Sequence, residues 1–317
     1  MYVVDLQPRT LARIQRPLMR PFLPFQTPLH SPSFMMPEIS IESQYNDLGS
    51  DYDLLNSLPS SRLEIDNLHR IVTSLLPKST PPQPLKALDL ACGTGRFTRL
   101  LLDWGFTSVL GVDISAGMID VAKATTDPTL LRSGKIDFLV ADGSVPQRYA
   151  TDSRGGDGDG EGVGEGGGPH DFALGCWFHA CASNREQMAN MWRTVALNLK
   201  PGGYFVGTTP MPSEDPKANS LRIEKVRPMW KGNVNHVFLR EIEDGIVERI
   251  VFLPLPGTKA DEKGEKMELE TYCLRKGVWE DGARGAGFEI SWRMPEIRGR
   301  LLRVVGARRM RREFGRV

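Results

Sequence analysis

The run Leu88-Asp89-Leu90-Ala91-Cys92-Gly93-Thr94-Gly95-Arg96-Phe97, followed by Val112-Asp113-Ile114, constrains this chain more than any other feature. An apolar strand leads directly into a glycine turn. Residues 97–104 then carry apolar side chains at helical spacing, and a second apolar run, 108–112, ends in an acid. Strand, glycine loop, helix, strand and acid in that order form a unit able to hold a nucleoside. Gly93 and Gly95 lack the Cβ atoms that would keep a ligand off the backbone. Asp113, at the tip of the second strand, offers a carboxylate to both hydroxyls of a ribose. Its competing role is a helix N-cap, which Ser115 can equally fill. The unit points to an enzyme that binds an adenosyl cofactor.

The positions after Gly95 narrow the choice. A dinucleotide fingerprint needs a third glycine opening the helix, whereas Arg96, Phe97 and Thr98 stand here. No Lys-Ser or Lys-Thr pair follows, which excludes a P-loop. Asp89, Cys92, Gly93, Thr94 and Gly95 resemble the first motif of the class I S-adenosylmethionine-dependent methyltransferases, with Ala91 where many members carry an earlier glycine. The resemblance continues in order over about residues 42–210. Residues 136–143 read as a third strand ending in Asp142-Gly143, the acid that in the family lies by the adenine. Residues 171–177 read as a fourth strand leading to the active-site lip at Trp177. A helix over 186–199, the turn Leu199-Lys200-Pro201-Gly202-Gly203 and a fifth strand over 204–207 complete the set. The resemblance implies a Rossmann-like, doubly wound α/β sheet of seven mostly parallel strands, with an antiparallel last strand and a small cap insertion. It implies S-adenosylmethionine as cofactor, held by Tyr45, Asp89, Ala91, Cys92, Gly93, Gly95, Asp113, Ile114, Met118, Asp142, Gly143 and Trp177. Tyr45 would close over the cofactor from a helix before the first strand; ordinary packing on the sheet is its alternative role.

Composition bounds the remaining classes. A chain of 317 residues that is 40% apolar can bury one α/β core with additions. A formal net charge of +1 argues against a surface devoted to nucleic acid or anionic lipid. No apolar run approaches the roughly 20 residues that span a bilayer. Cys92, Cys176, Cys181 and Cys273 show no paired C-x-x-C spacing, so we expect free thiols, no metal and a reducing compartment. Residues 1–36 hold Arg9, Arg13, Arg16 and Arg20 against one acid, Asp5. That is transit-peptide composition for a mitochondrial protein, but the many prolines oppose the amphipathic helix required. The expectation is a disordered extension over 1–40, a domain over 41–317 and a cytoplasmic protein.

Three segments stand apart within the domain. Residues 152–168 are nearly all glycine and acid; Gly168 stands where a calcium loop needs its last acid, so a flexible, ligand-free insertion is expected. Residues 208–266 read as a cap with strands either side of Asp244-Gly245, and 268–287 as the last helix before a strand over 288–292. The arginine-rich end after Arg293 does not read clearly as the family's closing strand. A nucleic-acid-binding tail is the alternative there.

For the chemistry, Trp177, Phe178, His179 and Ala180 follow the fourth strand, where the family faces the methyl group. An aromatic wall suits a flat or apolar acceptor. His179 is the candidate base, with packing its alternative; His170 is expected to be structural, and contact with an acceptor is only a secondary reading for His236 in the cap. Neither an N-P-P-Y tetrapeptide nor a Pro-Cys nucleophile is present, which lowers the nucleic-acid reading. Trp177-Phe178, Asn184-Arg185-Glu186, Met191-Trp192-Arg193 and the L-K-P-G-G turn resemble a small-molecule branch frequent in fungal secondary metabolism. The expected activity is methyl transfer to oxygen or nitrogen of a small organic acceptor. The alternatives are an RNA or protein methyltransferase docking through the basic C-terminus, and a non-catalytic module that retains the fold.

Overall fold

Successive side chains of a strand point to opposite faces, and β1 (Lys86–Leu90) uses that alternation to divide the core. Leu88 and Leu90 pack with Met188, Met191 and Trp192 of α6 (Arg185–Asn198) and Trp279 of α8 (Lys276–Gly285). Ala87 faces the other way, toward Leu68 and Val72 of α2 (Pro59–Leu75) and Leu101 of α3 (Arg96–Asp103). Helices therefore cover both faces of the sheet, the arrangement that buries a parallel sheet. This computed structural model describes residues 40–46, 48, 52, 59–77, 83–149, 170–210, 213–226, 234–252, 267–293 and 302–309. The expectations for 1–36 and for the 152–168 insertion lie outside the described residues.

The main sheet has seven strands in the order β3-β2-β1-β4-β5-β10-β9. They are β2 (Ser108–Asp113), β3 (Ile136–Val140), β4 (His170–Cys176), β5 (Leu199–Pro210), β9 (Phe288–Arg293) and β10 (Leu302–Arg309), together with β1. β3, β2, β1, β4 and β5 run parallel, and β10 is antiparallel to both β5 and β9. The doubly wound expectation holds. The closing strand, unclear in the sequence, is present: Arg303, Arg308 and Arg309 belong to β10, a strand flanked by β5 on one side and β9 on the other, and not to a free tail.

A second sheet orders β6 (Val234–Ile242), β7 (Gly245–Phe252) and β8 (Met267–Leu274). The hairpin expected around residue 244 forms the β6–β7 turn. The helix expected over 268–287 is corrected in its first half. Leu269, Thr271 and Leu274 are the buried positions there, and Leu269 pairs with Ile250 of β7, so the open edge of β7 draws the segment into a strand. Only Lys276–Gly285 is helical.

The short helix α1 (Ile41–Asn46) bridges the two sheets. Asn46 Oδ1 accepts from Ser115 Oγ at 2.7 Å and from the Gly117 N–H at 3.3 Å, at the start of α4 (Ala116–Thr125). Gln44 meets both backbone groups of Glu270 on the edge strand β8: Oε1 accepts the N–H at 2.8 Å and Nε2 donates to the carbonyl at 3.3 Å. Among the described residues, no helix is long and apolar enough to cross a membrane.

Candidate cofactor and acceptor site

The strand order reverses between β1 and β4, and in open α/β sheets the crevice beyond the carboxyl ends of strands at such a switch point receives ligands. At the end of β1 the chain turns through Ala91, Gly93 and Gly95, all with positive φ (56°, 54° and 77°). Gly95 is required twice over, since a Cβ there would also lie 2.9 Å from the Phe138 ring. Ala91 takes a left-handed conformation that costs a non-glycine residue about 1–2 kcal/mol, at the position where the resembling family often has glycine.

Two buried carboxylates fix this loop. Asp89 points toward α3, where Thr98 Oγ1 donates to it at 2.6 Å; burial pushes its carboxyl up to about 7. Asp113, at the tip of β2, accepts from the Gly93 N–H at 2.8 Å through Oδ2 and from the Ser115 N–H at 2.9 Å through Oδ1. Burial raises its pKa, opposed by these backbone bonds. The expected N-cap role falls to Ser115, whose Oγ accepts from the Met118 N–H at 3.1 Å.

A cavity of about 280 Å³ opens over these strand ends. Of the residues expected to bind a cofactor, Tyr45, Ala91, Gly93, Asp113, Ile114, Asp142, Gly143 and Trp177 line it. Asp142 Oδ1 accepts from the Ser144 N–H at 2.8 Å. Trp177 has φ 63°, which turns the chain from β4 into a 3-10 turn, Phe178–Cys181, and brings the Phe178 ring against Gly143. A Cβ at Gly143 would lie 2.5 Å from that ring. Asp89, Cys92, Gly95 and Met118 do not line the cavity: Asp89 and Met118 are enclosed by the core, Cys92 is buried beside β2, and Gly95 caps α3. They shape the loop from behind.

The candidate base His179 lies behind the cavity wall. It is 3% exposed and absent from the cavity wall, with the rings of Trp192, Phe178, Phe205 and Trp279 at centroid distances of 4.2, 4.8, 5.3 and 5.5 Å. Burial pushes its pKa down to about 3, and its Nε2 has no hydrogen-bond partner. His170 is structural, with Nδ1 3.1 Å from the Asn198 carbonyl oxygen. His236 lies in the cap, Nδ1 3.4 Å from Glu248 Oε2, and does not line the cavity.

Phe178, expected to face the methyl group, lines the wall, whereas sequence reasoning missed Glu42, Cys176, Cys181, Gln187 and Met191 among others. Tyr52 packs edge-on against Tyr45 at 5.9 Å, and its ring would meet a Cβ at Gly93 at 3.6 Å. Burial raises the pKa of both phenols, so each stays neutral. Among the described residues, no cluster of His, Cys, Asp or Glu is placed to hold a metal ion.

Comparison with known proteins bears on this arrangement. Residues 87–152 match the family model described as a methyltransferase domain. A solved Pyrococcus horikoshii protein superposes with a TM-score of 0.51 at 18% identity, over 84% of this chain and 97% of its own. An S-adenosylmethionine-dependent methyltransferase from Clostridium acetobutylicum gives a TM-score of 0.50 at 15% identity, over 84% and 99%. The fold is that of the class I methyltransferases. Within this methyltransferase fold, a 63-residue stretch is 38% identical to the trans-aconitate 2-methyltransferase of Streptomyces avermitilis. That match spans 20% of this chain and 23% of the length of the curated relative.

Proposed function

We propose that the chain transfers the methyl group of S-adenosylmethionine to an oxygen or nitrogen of a small organic molecule. The observation that carries this reading is Asp113 at the cavity wall, a buried carboxylate that accepts from the Gly93 and Ser115 N–H groups. A carboxylate offers about four lone-pair sites, so capacity remains for a pair of ribose hydroxyls. Asp142 has one oxygen taken by Ser144 and the other available to an adenine amine. Gly93 leaves room beside Tyr52 for a ligand to approach the backbone. The carboxylates on the wall suit a cofactor whose net charge is +1.

When bound, the cofactor supplies a methyl group activated by its sulfonium charge. The chain's own residues bind, orient and exclude water. Trp177, Phe178 and Met191 form an apolar wall, and Tyr45 and Tyr52 close the cavity from the N-terminal side. Alignment of nucleophile and methyl accounts for most of the acceleration in such a displacement. With His179 enclosed, its imidazole does not take the acceptor's proton. The resemblance to small-molecule enzymes of secondary metabolism supports that setting, with the cytoplasm as the compartment.

Calorimetric titration with S-adenosylmethionine and with its demethylated product tests the reading. Asp113→Ala should weaken both by about 1.5–3 kcal/mol, the loss expected for charge-assisted hydrogen bonds. Folded wild-type protein that ignores both ligands at millimolar concentration would overturn it.

A further inference from the structure

Resting on the proposed function, a narrower statement concerns the acceptor. We propose that it carries no negative charge and that Gln187 Nε2 donates the hydrogen bond that selects it. The ionisable side chains on the cavity wall include the carboxylates of Glu42, Asp113 and Asp142; no Lys, Arg or His lines it among the described residues. Arg96, whose charge reaches Tyr52 and Cys176, is paired with Glu64 at 3.3 Å. The cofactor brings its own positive charges to offset its carboxylate. The cofactor's net charge of +1 offsets only one of the three wall carboxylates, so an anionic acceptor would meet a wall that remains negative, which disfavours binding where water is excluded.

Gln187 supplies the positive evidence. It sits at the third position of α6, after the Asn184 N-cap, whose Oδ1 accepts its N–H at 2.9 Å. Its Oε1 accepts from both the N–H and the Oγ of Ser183, at 2.8 and 3.0 Å. Two donors on one oxygen settle which way the amide is turned. A capping role uses only that oxygen. The amide nitrogen is left as a donor on a wall of mostly apolar, aromatic, thiol and carboxylate groups that also carries the hydroxyls of Ser40 and Ser144, and it can donate to a lone pair on a neutral or cationic molecule.

The test uses the full chain, after calorimetry has established that it binds S-adenosylmethionine. Small-molecule extract from cells that encode it is split on an anion exchanger. Each fraction, and trans-aconitate as a pure tricarboxylate, is incubated with methyl-labelled cofactor, and products are separated from it by chromatography. Label should enter the unretained fraction at least about tenfold over the retained fraction and trans-aconitate. Gln187→Glu keeps an acceptor for Ser183 but removes the donor; it should cut transfer into the same product about tenfold or more while cofactor affinity stays within about twofold. Label in an anionic product overturns the proposal, as does no label in any fraction with the cofactor bound. Unchanged transfer by Gln187→Glu, or a loss matched by lost cofactor affinity, removes Gln187 from the role. A chain that binds no cofactor fails the proposed function instead.

Discussion

His179 and Gly143 show how single positions divide the labour around the cavity. The imidazole of His179 is one of a stack of rings beneath the wall and has no route to an acceptor. His179→Phe should therefore turn over within about threefold of wild type, where loss of a general base costs about 100-fold or more; steady-state kinetics on the identified acceptor decides between them. Gly143 is needed for closeness, because any side chain there displaces the Phe178 ring. Gly143→Ala should cost about 1–3 kcal/mol through overpacking, read from the denaturant midpoint, with weaker cofactor binding alongside. Asp113 could be located from sequence because an acid at a strand tip after a glycine loop has few other uses. Gln187 could not, since a glutamine three places after an asparagine reads as capping, and only coordinates reveal its second arm. The burial of His179 could not be read from sequence, because the left-handed turn at Trp177, unusual for a non-glycine residue, is invisible to periodicity.

Among elements, those formed by local pattern were readable and those formed by distant pairing were not. The unit from β1 to β3 follows from alternation, glycines and terminal acids, all close in sequence. β8 was misassigned because its Glu and Leu residues carry helix preference, and only the edge of β7 makes it a strand. β10, implied by the resemblance, did not read clearly in the sequence because its run of arginines masks a strand whose place is set by pairing with distant β5 as well as with β9. α1 illustrates the same dependence, since its six residues are too few to stay helical alone. It is held by Asn46 on α4 and by Gln44, which replaces a missing neighbour strand on β8. Gln44→Ala should remove two hydrogen bonds, each contributing about 0.5–1.5 kcal/mol. Hydrogen exchange should then show faster exchange at residues 41–46 with the main sheet unaffected; unchanged protection would mean that Asn46 suffices.

For the molecule as a whole, burial of neutral imidazoles sets the response to acid. His179 and His170 are held down to about 3 and about 4, so both stay neutral when folded and take up protons on unfolding below about 6.5. Stability from these groups is complete above that pH and is lost as pH falls, at up to about 1.4 kcal/mol per pH unit for each. Asp89, raised to about 7, works in the opposite sense, because the folded state keeps a proton that the unfolded chain releases above its lower pKa. Between pH 7 and 5, His179→Phe should lose about 2 kcal/mol less stability than wild type; equal losses in urea titrations would show that the imidazole is not kept neutral. The position of β10 between β5 and β9 has a consequence for synthesis. Leu302–Arg309 leave the ribosome after every other described element, so the nascent chain must wait with the facing edges of β5 and β9 unpaired along a gap that this segment fills. A polypeptide released early would carry that gap permanently, a template for aggregation and a target for chaperones.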